Sequence, residues 1–159
     1  FAGVALLTWV LAAALLRPGE EERLAQDVLA SHVRSTLGNH LIDVASSDQH
    51  TVKPWLSGKL NFSPPVMDLS GQGFELAGGR LDYVAERPVA VLVYKRRQHV
   101  VDVFVWPAAG DSARRSASQR GFNLVHFARG GMNYWAVSDL DANELADFAQ
   151  LLAVGSGAP

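Results

Sequence analysis

The sequence predicts an α+β domain in which an antiparallel meander sheet is flanked by an N-terminal amphipathic helix and a C-terminal helix. Three observations carry this prediction: a helical period of apolar residues over 20–37, successive strand-like segments between 74 and 138, and a second helical period near the end. No strand–helix–strand alternation occurs, which disfavours a doubly wound parallel sheet. Helices are therefore expected to cover one face of the meander.

An apolar helix, interpreted as a membrane helix, precedes this domain. Residues 1–16 carry no charge, and Arg17 and Pro18 end the run. A spanning helix needs about 20 apolar residues, and this run is shorter. We interpret 1–17 as a truncated transmembrane helix, since a helix apolar on every face suits lipid. A signal-peptide core and a buried helix of a soluble domain are the alternatives. Residues 18–159 then form one further domain.

The two amphipathic helices have recognisable ends. In the first, acidic residues occupy the first turn, Arg34 lies near the last turn, and Gly38 supplies a stop. A short strand at 41–45 follows it. The second helix is predicted at about 141–153, where Asp141 and Glu144 resemble a capping box.

The strand signals begin at Phe74. Residues 89–94 are apolar on both faces, as in a central strand, and 99–106 alternate, so the polar residues between them predict a hairpin turn. Residues 108–120 are small, polar and basic, and predict a mobile loop. A second hairpin is expected around 129–131.

Residues 50–65, which read HTVKPWLSGKLNFSPP, show neither a helical nor a strand period. Aromatic residues in such a segment indicate a binding loop or a structural wrap. Trp55 and Phe62 are expected to dock on the core while the prolines fix an extended path. The residues of this segment predicted to contact a ligand or partner are His50, Lys53, Trp55 and Lys59.

Composition and motifs exclude several kinds of site. The chain has no cysteine, which excludes disulfides and thiolate chemistry, and its net charge of −2 disfavours nucleic-acid binding. Neither G-x-S-x-G nor a close histidine spacing occurs. His32, His40 and His50 could converge on a metal, but ordinary histidines are the preferred interpretation. Asp102 stands on an apolar strand, and the preferred interpretation is a paired carboxylate that meets an Arg or Lys of the next strand. The sequence thus predicts no enzyme, no metal and no cofactor.

Two segments carry a resemblance to a known family. The run SSDQHTVKPWLSGKLNFSPPVMDLSGQGFELAGGRLDYVAERPVAVLVYKRRQHVVDVFVWP resembles the extracytoplasmic part of proteobacterial transmembrane anti-sigma factors, and GMNYWAVSDLDANELADF is similar to the same family. The resemblance covers roughly residues 20–153. The most specific sequence motifs of this resemblance are HTVKPWLSGKLNFSPP and GGRLDY.

The resemblance implies a sensory function. Residues 18–159 would be a periplasmic sensor domain of a single-pass inner-membrane protein that regulates sigma-dependent transcription. A cytoplasmic segment, often marked by a His-x-x-x-Cys-x-x-Cys zinc motif, would bind the sigma factor, and this cysteine-free chain is expected not to include it. The other implied partners are the membrane and a periplasmic protease or sensor protein, with no direct nucleic-acid contact. A periplasmic metal- or small-ligand-binding module is the alternative function.

Overall fold

A computed structural model of the chain describes residues 2–15 and 18–157. The helices are α1 (Ala2–Leu15), α2 (Glu20–Leu37), α3 (Gln49–Ser57) and α4 (Ala142–Ser156). The strands are β1 (Val44–Ala45), β2 (Glu75–Val84), β3 (Arg87–Arg96), β4 (His99–Pro107), β5 (Ser112–Gln119), β6 (Phe122–Arg129) and β7 (Met132–Ser138).

The strands form one antiparallel sheet in the order β1-β2-β3-β4-β7-β6-β5. Two three-stranded meanders, β2 to β4 and β5 to β7, join where β4 pairs with β7 and Phe104 lies opposite Trp135. The predicted α+β class, the antiparallel meander and its two flanking helices are confirmed. Both predicted hairpins form, with their turns at 97–98 and 130–131.

The helices cover both faces of the sheet, so the prediction that they cover one face is wrong. Beneath α2, a core cluster includes Val28, Val91 and Val93. A second cluster under α3 and α4 includes Leu92 and Phe148. Because β3 is apolar at successive positions, which point to opposite faces, each face of the sheet has to be covered.

Helix α1 does not join either core. Residues 3–12 are all exposed, and Leu7 and Trp9 retain 74% and 72% of their accessible surface. The alternative of a buried helix of a soluble domain is therefore wrong for these residues. Within 2–15 and 18–157, no helix combines the length and the apolar character that crossing a membrane requires. The transmembrane interpretation of 1–17 thus gains no support here, and positions 1, 16 and 17 lie outside the described residues.

The segment at 50–65 is partly helical, which corrects the prediction of an irregular, extended path. Asp48 caps α3 by accepting a hydrogen bond from the backbone N–H of His50, at 2.8 Å. Val52 and Leu56 are buried one turn apart. Pro54 lies inside this helix and hides its period in the sequence, because proline normally ends a helix.

The predicted mobile loop over 108–120 is also wrong, because β5 occupies most of it. This strand lies at the edge of the sheet and is exposed on both faces. Strand prediction depends on an apolar alternation that such an edge does not need. The hairpin signal that identifies it is the Arg120–Gly121 turn, where both residues have positive φ, at 53° and 83°.

Candidate functional site

A buried polar network lies between α2 and the sheet. Up to residue 29, α2 buries the apolar side chains Ala25, Val28 and Leu29, whereas beyond it the helix buries Ser31, His32 and Ser35. Both sets lie on the same helix face because the residues are three or four positions apart. This arrangement directs a hydroxyl and an imidazole onto the sheet within an otherwise apolar contact.

Asp102 is the central acceptor of the network. Its Oδ2 atom lies 3.0 Å from His32 Nδ1 and accepts a hydrogen bond from Arg80 Nη2 at 2.9 Å. Asp102, Arg80 and His32 are 0%, 1% and 3% exposed, respectively. A carboxylate that is buried to this extent has no contact with solvent, and the contacts of the network join elements of the fold.

The guanidinium group of Arg80 donates hydrogen bonds to several elements of the fold. Besides Asp102, it donates to the carbonyl of Leu41 at 3.2 Å, to Asp82 at 3.4 Å and to Ser31 at 3.5 Å. Ser31 also donates to Asp82. The guanidinium group therefore ties α2, the segment after it and β2 together, as a planar fork of five donors can do.

One atom of the network is unsatisfied. Asp102 Oδ1 is buried and has no hydrogen-bond partner among the described residues. A buried charge group that is only partly satisfied contributes little net stability and often less than a well-packed apolar group. The network is therefore poorly explained as a device for stability alone, which makes it the best candidate for a functional element.

The prediction for Asp102 was right that a basic residue pairs with it but wrong about the strand. The neighbour of Asp102 on β3 is Val93, whereas Arg80 lies on β2, one strand further. The arginine side chain is long enough to cross the apolar β3. The contact with His32 was not predicted, because 70 residues separate it from Asp102 and no local motif links them.

A second tether holds the start of α2. Glu21 accepts a hydrogen bond from Arg115 of β5, and its Oε1 lies 2.9 Å from His126 Nε2 of β6. The His126 ring stacks on Trp135 at a centroid distance of 4.1 Å. Both ends of α2 are thus bound to the sheet, the first through Glu21 and the other through His32.

The predicted ligand-contact residues lie on the opposite side of the sheet from this network. His50 and Lys53 are exposed on α3, and Trp55 is half-buried against the core. The ammonium group of Lys59 stands 5.2 Å from the centroid of the Trp55 ring. Of the four predicted residues, Trp55 and Lys59 therefore lie close together. The prediction that Trp55 and Phe62 pack on the core is confirmed.

The three histidines considered as metal ligands do not converge. His32 is buried beneath α2, His40 pairs with Asp43 at 2.7 Å, and His50 lies on α3. Among residues 2–15 and 18–157, no three side chains of the His, Cys, Asp or Glu types are grouped as a metal site requires.

A groove adjoins the outer side of α2. It has a volume of about 710 Å³ and runs between α2 and the end of the β5–β6 hairpin. Leu29, Val33 and Phe122 form its apolar part, and its charged lining residues are Asp27, Arg34 and Arg120.

Comparisons of the chain with protein families, with curated proteins and with solved structures found no match.

Proposed function

We propose that this chain is the extracytoplasmic sensory part of a membrane-anchored anti-sigma factor. The family resemblance supports the proposal, and the observation that carries it is the buried polar network of His32, Asp102 and Arg80 between α2 and the sheet. In this role, residues 18–159 detect a condition outside the inner membrane. The chain has no catalytic function in this proposal.

Helix α1 is the proposed membrane contact. Val4, Leu7, Val10 and Leu11 are exposed on it, and an apolar surface in water is unfavourable by about 25 cal/mol per Å². A lipid phase is the environment that would remove this surface from water. Residues 16–19 lie between α1 and α2, so α2 is the first described element of the folded domain after the membrane contact.

The network of His32, Asp102 and Arg80 is the proposed switch. While α2 is docked, His32 and Ser31 satisfy groups that the sheet buries. If α2 leaves the sheet, Asp102 and Arg80 lose partners, so docking depends on the arrangement of the strands that carry them. A signal that changes the sheet would therefore shift α2, and α2 would pass the change to α1.

The proposed partners follow from this route. A sigma factor would bind a cytoplasmic segment outside this chain, the membrane would hold α1, and a periplasmic protease or sensor protein would act on the domain.

Deleting the gene should raise the transcripts of one sigma-dependent set of genes, measured across the whole transcriptome. Unchanged transcripts under every envelope condition tried would contradict the proposal.

A periplasmic small-ligand-binding module is the second candidate function. Its support is the pair of Lys59 and Trp55, because a cation beside a half-buried aromatic ring can receive an anionic ligand that has an apolar part. Calorimetric titration with small anions and divalent metals tests it. Heat that is lost in His50→Ala and Lys59→Ala would support this function, and no heat from any ligand would remove it.

A further inference from the structure

Strand β5 is the most exposed of the seven strands. Seven of its eight residues are exposed and the eighth, Gln119, is half-buried. The strand is the last of the sheet, so one of its edges has no neighbouring strand among residues 2–15 and 18–157. Proteins usually protect such an edge with proline, a covering loop or a very short strand, because it can pair with another chain. Ser116 to Gln119 include no proline, and Ser116 to Ser118 are exposed.

The register identifies which backbone groups are free. Gln119 pairs with Phe122 across the two-residue Arg120–Gly121 turn. In such a hairpin the closing pair exchanges both of its hydrogen bonds, and alternate residues face the other way. Ser116 and Ser118 therefore direct their N–H and C=O groups away from β6 and towards the free edge.

The long side chains of β5 leave this edge uncovered. Arg114 donates to Gln150 of α4 at 2.9 Å, and Arg115 donates to Glu21 of α2. Each arginine is thus bound over a different face of the sheet. The remaining side chains beside the edge, Ser116, Ala117 and Ser118, are small.

The charge of strands β5 to β7 indicates which kind of chain could pair with the free edge of β5. Four of the fourteen basic residues and none of the sixteen acidic residues lie between Ser112 and Ser138. The basic residues are Arg114, Arg115, Arg120 and Arg129. The strands β5 to β7 are therefore basic in a chain whose net charge is −2. Glu21 offsets the charge of Arg115, and Asp27 and Asp111 line the neighbouring grooves, so Arg114 and Arg120 supply the positive charge nearest the edge. A second copy of the chain would bring the same arginines together across the edge, which is unfavourable, whereas an acidic strand is complementary.

Two grooves lie beside the edge and on opposite faces of the sheet. The groove along α2 adjoins Gln119 and Arg120, and a groove of about 360 Å³ between β5 and α4 adjoins Ser112 and Arg114. Side chains of an extended peptide point alternately to the two faces. One added strand can therefore place side chains towards both grooves while its backbone pairs with Ser116 and Ser118.

We propose that the free edge of β5 binds an extended acidic peptide of another protein as an additional antiparallel strand. Backbone hydrogen bonds to Ser116 and Ser118 supply the affinity, and Arg114 and Arg120 select acidic side chains, since Arg115 is already paired with Glu21. This inference goes beyond the proposed function, and its test uses the chain alone, so its failure would leave the anti-sigma role untouched.

The test uses a labelled peptide of ~10 residues that alternates glutamate with valine, a length typical of a long strand. Its counterpart alternates lysine with valine. Measured by fluorescence anisotropy, the acidic peptide should bind at least about tenfold more tightly than the basic one. This difference corresponds to about 1.4 kcal/mol of binding free energy. Equal binding of the two peptides, or no binding of the acidic one, would overturn the proposal.

The position of binding is tested with Ser116→Pro, which removes an N–H that points to the free edge and not to β6. Affinity should fall by about tenfold while the thermal midpoint is unchanged, and Ser116→Val should bind as the wild type does. Wild-type affinity in Ser116→Pro would overturn the proposal, as would a dimer that this substitution dissolves.

Arg120→Glu provides a second variant, because it alters a turn residue outside the strand. It should weaken the acidic peptide and strengthen the basic one. Hydrogen exchange of the wild type adds a direct readout: the amides of Ser116 and Ser118 should become protected when the acidic peptide binds. Unchanged exchange of both amides in the presence of bound peptide would place the peptide elsewhere and overturn the proposal.

Discussion

The Nδ1 atom of His32 lies 3.0 Å from the Oδ2 atom of Asp102, and this contact joins α2 to the centre of the sheet. Arg80 approaches the same oxygen from β2, so one buried carboxylate oxygen serves two elements. The attachment of α2 therefore depends on how β2 and β4 are arranged. This dependence is the physical basis of the proposed switch.

Removing the carboxylate of Asp102 should strongly destabilise the domain. Asp102→Ala leaves the Arg80 charge buried with fewer partners, and we expect a loss of about 3–5 kcal/mol in the free energy of unfolding. Denaturant titration measures this change. Asp139→Ala is the control, because Asp139 forms an exposed pair with His99 and should change stability by less than about 1 kcal/mol.

The same titration can separate pairing from packing. Replacing Arg80 and Asp102 together by Met and Leu removes both charges, and the double variant should recover much of the stability that Asp102→Ala loses. The single variants Arg80→Met and Asp102→Leu complete the cycle, and two single losses that simply add in the double variant would show that the two side chains do not act as a pair.

Replacing His32 should loosen α2 and leave the sheet in place. His32→Phe keeps a planar ring at this position but removes the hydrogen bond to Asp102, and a loss of about 1–3 kcal/mol is expected. Hydrogen exchange should become faster in the second half of α2 and stay slow in β3 and β4. His40→Ala is the control because His40 is exposed. Equal acceleration in α2 and β4 would contradict a separate movement of α2.

Glu144 at the start of α4 gives a pH-dependent contribution. Desolvation raises the pKa of Glu144, but the hydrogen bonds and charges of Arg97 and Arg96 outweigh it and lower the pKa below 4.5. A carboxylate with a lowered pKa stabilises the fold above its ordinary pKa and loses this contribution as pH falls through the folded value. Stability should therefore decline on acidification below 4.5, and Glu144→Gln should reduce this decline.

The cause of this shift can be checked by an NMR titration of the Glu144 carboxyl group. Arg97→Met removes one of the two cations, so the pKa of Glu144 should move up towards 4.5. An unchanged pKa in this variant would show that Arg97 does not hold the carboxylate in its charged form.

Breaking α2 should disconnect sensing from transcription in the cell. Val28 is fully buried in the middle of α2, and proline there removes a helical hydrogen bond and costs about 3 kcal/mol or more. In Val28→Pro, the genes that rise on deletion should stop responding to the condition that normally changes them. Glu22→Pro is the matched control, because proline is tolerated in the first turn of a helix. A full response in Val28→Pro, at equal protein level, would exclude α2 as the route.

The helices α2 and α4 could be predicted because each has one apolar face and recognisable ends. The strand pairs from β2 to β4 and from β6 to β7 could be predicted from apolar segments separated by turns. Helix α3 was missed because Pro54 interrupts its pattern, although Asp48 and the spacing of Val52 and Leu56 were available as signals. Strand β5 was missed because it is exposed on both faces.

The candidate site was largely beyond sequence reasoning. Asp102 could be singled out, because a carboxylate on an apolar strand needs a partner. Its partners could not be named, because β2, β4 and α2 meet only in the folded chain. The residues of 50–65, by contrast, were conspicuous in the sequence, but the structure places helix α3 on the opposite side of the sheet from the network.

The proposed anti-sigma function is tested by affinity capture of the complete gene product that carries this chain, after crosslinking in cells and with mass spectrometry of the bound proteins. We expect one sigma factor to be enriched with the complete product, and residues 1–159 expressed alone not to capture it. No enrichment of any sigma factor over an unrelated membrane protein would rule out this function.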